Sequence, residues 1–181
     1  PPTWATESLA ESHELVTLPC YEWQHVIVVP SRHPLAGIER PTLEQLAAEP
    51  LVTYHPTFTG RGKIDQAFAR ARLAPTIALE AIDSDVIKTY VRLGLGIGIV
   101  ASMAVEQKDD EDLVHIDTSD LFPAHTTWIG FRRGGLLRKY QLDFIQLFAP
   151  QLTRRLIERA AGAATQADVE QLTTGIELPL R

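Results

Sequence analysis

The chain has 181 residues, enough to bury one core, or two small ones, without disulfide or metal staples. Apolar residues make up 45% and charged residues 22%, a globular balance that excludes disorder over the whole length. The formal net charge of −6 argues against a chain that grips nucleic acid by itself, because such binders carry a basic balance and a basic face.

No apolar run approaches the roughly 20 residues of a membrane span. The longest, Val91–Ala101, is broken by Arg92 and three glycines. The opening Pro1-Pro2-Thr3-Trp4 is no secretory signal. A single cysteine, Cys20, forms no internal disulfide, and no zinc-ligand spacing occurs. The expected compartment is therefore a reducing cytoplasm.

Val26–Val29 is a short β-branched run stopped by Pro30, the pattern of a buried strand. Ser31-Arg32-His33-Pro34 is a turn. Pro41-Thr42-Leu43-Glu44-Gln45 opens a helix with Thr42 as N-cap and Gln45 completing a capping box; Pro50 ends it. Leu51–Tyr54 is a second strand. After the loop His55–Gly60, a helix runs from Thr59 with Ile64, Ala67, Phe68 and Ala71 on one face, and Pro75 closes it. Thr76–Ile82 is a strand. Asp83-Ser84-Asp85 caps a helix with a buried stripe of Val86, Ile87, Tyr90 and Val91, and Gly94 stops it.

Ile97–Val100, Leu113–Ile116 and Thr127–Arg132 are further strands. Leu136–Phe148 is an amphipathic helix with Leu137, Tyr140, Phe144, Ile145 and Phe148 on one side. Arg154–Arg159 continues as helix, Ala160–Ala164 is a linker, and Thr165 caps a last short helix to Leu172. Strands alternating with helices imply an α/β fold with largely parallel sheets.

Most chemical signals have ordinary explanations. Gly94-Leu95-Gly96-Ile97-Gly98 follows a helix, and its spacing is not that of a dinucleotide cradle; it reads as a helix stop leading into a strand. The six histidines show no metal-ligand pairing and read as surface or satisfied core residues; His25 alternates with strand residues. Ser31 and Ser102 lack a nucleophile elbow. Cys20 reads as a small buried hydrophobe. The pairs Arg132-Arg133, Arg138-Lys139 and Arg154-Arg155 read as solvated helix faces. No catalytic residue and no metal site is expected.

Thr57-Phe58-Thr59-Gly60-Arg61-Gly62 is more informative. With Thr59 capping a helix and Gly60 allowing close approach to the backbone, unpaired first-turn N–H groups offer an anion site. The same residues equally describe a plain N-cap worth about 1 kcal/mol. Thr6, in Ala5-Thr6-Glu7, says nothing by itself.

The run from Asp83 through Val105 resembles one family, as do Leu18-Pro19-Cys20-Tyr21-Glu22-Trp23, Pro50–Tyr54, Phe58-Thr59-Gly60-Arg61, Ile129–Arg133, Phe144–Pro150 and the tail toward Leu178-Pro179. Together they resemble the effector-binding domain of LysR-type transcriptional regulators, in the CysB/Cbl branch that controls sulfur assimilation and cysteine biosynthesis. The resemblance implies an α/β fold of two Rossmann-like subdomains of the periplasmic-binding-protein type. Two crossovers would join them, with a ligand cleft between. Residues 21–121 would form the second subdomain, and 1–20 with 122–160 an incomplete first one. Residues 161–181 would be a C-terminal tail. The family's leading strand, helix, strand and helix are missing before Ala5, as is the winged helix-turn-helix that reads promoter DNA.

The resemblance further implies a ligand-sensing domain and no enzyme. Its ligand-binding residues would be Thr6, Thr59 and Trp23, with Gly60 and Arg61 from the Thr59 motif. No cofactor is implied. The effector would be N-acetylserine or O-acetylserine, or a sulfur anion such as sulfate or thiosulfate. Effector domains would pair as dimers, with a tetramer in the parent protein, and no membrane is involved. A solute-binding protein for sulfur anions shares the fold and remains the alternative.

Overall fold

The computed structural model describes residues 14–106 and 108–181. They fall into two compact units. One is Trp23–His125; the other joins the described residues through Glu22 to Thr126–Arg181.

The Trp23–His125 unit is built on a five-stranded sheet. Its strands are β2 (His25–Pro30), β3 (Leu51–Tyr54), β4 (Ile77–Ala81), β5 (Ile97–Ala101) and β6 (Leu113–Asp117), in the order β4-β3-β5-β2-β6. β3 runs parallel to β4 and β5, but β2 runs antiparallel to both β5 and β6. The sheet is therefore mixed, not largely parallel. The reason is that β2 enters from outside the β-α-β succession and lies between two strands that run the other way.

Helices α1 (Leu43–Ala47), α2 (Thr59–Arg70) and α3 (Ser84–Arg92) connect these strands. Thr42 caps α1 in a complete capping box, and Asp83 accepts from the Val86 N–H to start α3. Side chains alternate across the sheet. Ile27, Val29, Leu51, Ile97 and Ile99 join Ile64 and Phe68 of α2 in one core. Val28, Val52 and Val100 join Ile87 and Val91 of α3 in another. Both faces are covered, which is why β2 and β5 read as unbroken apolar runs. A Cβ on Gly98 would fall 2.5 Å from Val28 Cγ2 and 2.8 Å from Val91 Cγ2, so that glycine permits close seating of α3. Gly94, at φ 78°, ends α3 as expected. Tyr90 departs from its expected buried stripe and lies at the exposed rim.

A buried ion network ties α3 to the segment before β6. Asp110 is 4% exposed. It accepts from Lys88 Nζ at 2.9 Å, Arg92 Nη2 at 2.7 Å and the Glu106 N–H at 3.0 Å. Burial alone would raise the Asp110 carboxyl, but these three donors outweigh it and hold it below its ordinary value.

The other unit pairs β1 (Leu15–Trp23) with β7 (His125–Arg132) in a two-stranded sheet. Helices α4 (Lys139–Phe148), α5 (Arg154–Ala161) and α6 (Gln166–Thr173) complete it. β1 goes beyond the expected elements. The stretch 161–181 holds the short helix expected after Thr165. Thr165 caps α6, and the Gln166 side chain accepts from the Thr17 N–H and donates to the Thr17 carbonyl. Glu22 N–H donates to Pro179 O, and Arg181 N–H to Glu22 O, each at 2.9 Å. These contacts satisfy edge groups of β1.

Arg133 does not lie on a solvated face either: its guanidinium donates to Leu15 O at 2.7 Å and Ala163 O at 2.8 Å. Cys20 is buried, and burial pushes its thiol up to about 11, so it packs as an inert small hydrophobe. On α4, Leu142 and Ile145 are buried, whereas Tyr140 and Phe144 of the expected apolar side are exposed. They line an open apolar groove with Ile129 and Phe131, because a two-stranded sheet offers little surface to pack on.

Candidate functional site

The start of α2 has no side-chain cap. Its N-cap is Phe58, extended at φ −84° and ψ 134°, with no side-chain hydrogen bond. Thr59 is therefore the first helical residue and not the cap. Ahead of it, the His55 ring takes the Thr57 N–H on Nδ1 at 3.3 Å, and Phe58 N–H returns to His55 O at 3.0 Å. Arg61 N–H donates to Phe58 O at 3.1 Å, which leaves the Gly60 N–H among the first-turn donors at the positive end of a 12-residue helix.

Gly60 is the second residue of that turn. A Cβ there would lie 3.0 Å from His25 Nε2 and 3.3 Å from Trp23 Cη2. The helix start is thus seated directly on those two rings. Trp23 stacks on His125, with centroids 4.2 Å apart and planes at 12°. It meets His25 edge-on at 5.2 Å, and His25 meets His125 edge-on at 4.8 Å. Phe122 closes the far side, 5.9 Å from His25. The chain enters this unit at Trp23 and leaves it at His125, so the stack holds its two chain ends together.

His25 is 0% exposed and His125 is 6% exposed. Neither nitrogen of His25, nor Nε2 of His125, has a hydrogen-bond partner. Burial, with Lys63 adding repulsion, pushes His25 down to about 4. Burial, then His25 and Lys63, push His125 down to about 3. Both rings are neutral at pH 7, each with one N–H and one lone pair. Lys63 projects from the next turn of α2 and donates to Ala124 O at 2.5 Å. His25 is fixed through its backbone: it pairs with Ala101, and its carbonyl accepts from Thr118 Oγ1 at 2.7 Å.

Of the expected ligand residues, Gly60 and Trp23 meet at this point. Arg61 follows them but turns away. Its guanidinium, 6% exposed, binds Asp65 at 2.7 Å, Glu80 at 2.9 Å and Tyr54 O at 2.8 Å. Those bonds occupy its fork and fasten α2 to β3 and to Glu80 of β4, so Arg61 supports the turn instead of facing a ligand. Thr6 lies outside the described residues, as does the Thr59 side chain. The sequence reading misses the histidine pair. His25 is not a satisfied core histidine, and its partner is far along the chain. The nearest signal in sequence is the Trp-x-His alternation of Trp23 and His25. Among the described residues no group of three or more potential ligands stands ready for a metal ion, and no helix is long and apolar enough to cross a membrane.

The arrangement suits a small acceptor-bearing molecule. It offers backbone N–H groups at a helix start, a nearby lysine cation, neutral imidazoles and an indole surface.

The sequence profile of the LysR substrate binding domain matches residues 5–153. The chain is 52% identical over 148 residues to the HTH-type transcriptional regulator SsuR of Burkholderia cenocepacia, covering 82% of this chain and 48% of that protein. It is 47% identical over 165 residues to the HTH-type transcriptional regulator CysB of Haemophilus influenzae, covering 91% and 51%. The chain spans about half the length of these curated relatives. Among solved structures, the cofactor-binding domain of the Cbl transcriptional regulator superposes with a TM-score of 0.77 at 46% identity, over 84% of this chain and 67% of that one.

Proposed function

Because this chain belongs to the LysR substrate-binding-domain family, we propose that it senses a small effector for a transcription factor of sulfur assimilation and cysteine biosynthesis. The effector docks at the start of α2, where Gly60 gives backbone access, Thr59 adds a hydroxyl and Trp23 covers one side; Thr6 contributes from its own motif. The ligands are oxyanion-bearing molecules: sulfate, thiosulfate, or the carboxylate of an acetylated serine. What carries the reading is the uncapped start of α2 seated on Trp23, in a chain whose relatives are named transcriptional regulators.

The effector acts by population shift. It binds one conformation of the domain more tightly than another, and that preference changes how protomers assemble as a dimer or tetramer. A coupling of about 1–3 kcal/mol changes promoter occupancy severalfold. Promoter DNA is gripped by a separate winged helix-turn-helix of the parent protein, in the cytoplasm. A solute-binding role is disfavoured by the regulator names of the relatives.

Calorimetry of sulfate binding to the full-length protein tests the site. Thr59→Ala should weaken binding by about tenfold, the loss of one hydrogen bond to a charged group. Unchanged affinity would place the site elsewhere.

A further inference from the structure

We propose that His25 and His125 form the acceptor-recognition point of this effector site, donating ring N–H groups to an anionic oxygen held at the first turn of α2, with Trp23 as its movable cover. This rests on the effector-binding reading above and adds two residues that it does not contain.

Three observations converge. First, three ring nitrogens of the pair are buried without a partner, three of the five such side-chain atoms among the described residues, a destabilising arrangement. Second, these rings are not stray core residues. His25 Nε2 faces the backbone at Gly60, where a Cβ would come within 3.0 Å, so it adjoins the N–H groups of the helix start. Third, a cationic side chain acts on both rings. It is Lys63, and the positive end of α2 adds to it. Arg61, on the same helix, is occupied by Asp65 and Glu80. Every one of these features favours an anionic or strongly accepting group and disfavours a cation.

Neutral rings suit the task. Each presents an N–H without an added charge, so an empty site is not strained by repulsion from Lys63. When an oxyanion seats, its charge favours protonation of the adjacent imidazole. Binding is then linked to proton uptake, and affinity rises as pH falls. Among the described residues, the titratable groups acting on the pair are each other's rings, His25 on β2 and His125 on β7, and Lys63 on α2. Sulfate does not itself titrate near neutrality, so the slope reports the protein. The His125 ring lies under Trp23, and displacement of that indole opens the pair to the ligand.

The test compares His25→Leu and His125→Phe with wild type in the full-length protein, using sulfate and N-acetylserine as probes. Affinity is measured by calorimetry from pH 7.5 to 5.5, beside the melting temperature. Wild type should bind severalfold more tightly at the lower pH. The variants should bind at least tenfold more weakly with a shallower profile, while melting at the same or a higher temperature, because an orphaned polar group has been replaced by an apolar one. A purely structural histidine pair predicts the reverse: lower melting temperature and an unchanged pH profile. If wild type binds and both variants bind equally well, the histidine assignment falls and the effector reading stands. If one variant fails to fold, the other carries the same comparison. If wild type binds neither probe, both readings fall together.

Discussion

Gly60→Ala sets two effects of opposite sign against each other at the candidate site. Alanine is favoured over glycine inside a helix by at most about 1 kcal/mol, which would stabilise α2. The added methyl, however, lies 3.0 Å from His25 Nε2 and 3.3 Å from Trp23 Cη2. Either ring must yield by a few tenths of an ångström. His25 cannot easily do so: it is fully buried, central in the sheet, and held by Ala101, Asp117's neighbour Thr118 and the Phe122 ring. Overpacking at a site that does not yield costs about 1–3 kcal/mol. The clash therefore wins, with a net loss of up to about 2 kcal/mol, and the melting temperature should fall by a few degrees. The methyl also crowds the turn at which the effector is proposed to dock, so sulfate affinity should drop by about tenfold, equivalent to 1.4 kcal/mol. Differential scanning calorimetry and titration of the one variant read both effects. A raised melting temperature with unchanged affinity would refute the reasoning, since it would mean that the rings give way freely and that nothing binds against this turn.

Two further expectations concern stability. Asp110→Ala leaves Lys88, 6% exposed, with only Asp85 at 3.2 Å and Ala104 O at 2.9 Å among the partners described above and here. Breaking a buried pair costs about 3–5 kcal/mol, and the remaining partners reduce this to roughly 2–4 kcal/mol; a urea-unfolding loss below about 1 kcal/mol would contradict the network's importance. The histidines give a pH dependence of fixed sign. Their folded values, about 4 and about 3, lie below the ordinary 6.5, so the unfolded chain binds more protons in between. Stability is full above about pH 6.5 and falls toward pH 4, by an amount on the order of 3 kcal/mol for His25. Urea midpoints at pH 7 and pH 4.5 should differ in wild type and differ less in His25→Leu, where His125 remains; equal midpoints in wild type would contradict the neutral-ring assignment.

The sequence is most legible where local and tertiary preferences agree. Thr42 with Gln45, Asp83 and Thr165 mark three helix starts through their own side chains, and the structure uses all three. The apolar run at Val26–Val29 announces a strand covered on both faces, and α1, α2 and α3 supply the cover. Strand direction was not legible, because nothing in Val26–Val29 records that its neighbours run the other way. The domain limits follow long-range packing in the same manner. Phe122 belongs with Phe68 and His25, while Tyr21 packs edge-on to Phe148 under the Arg181 guanidinium. On α4 the periodicity was read correctly as amphipathic, but periodicity cannot say whether an apolar stripe meets enough partner surface to be buried.

The histidine pair illustrates a deeper limit. Neither residue has a local signature, and a satisfied core histidine has the same neighbours in sequence. Only the fold brings the two rings within 4.8 Å and leaves their nitrogens without partners. Thr42, Asp83, Thr153 and Thr165 satisfy their helix starts through side chains, whereas Phe58 has no group with which to do so. An uncapped helix and orphaned buried imidazoles each cost stability, and selection for stability alone could remove either with one substitution: serine or aspartate at Phe58, leucine at His25. Both departures occur at one place, on the two sides of Gly60. On the proposed reading, a single small acceptor at that place would relieve both, by taking helix N–H and ring N–H groups at once. The expectation is that ligand binding raises the stability of this unit by more than a capped, histidine-free variant can gain from the same ligand.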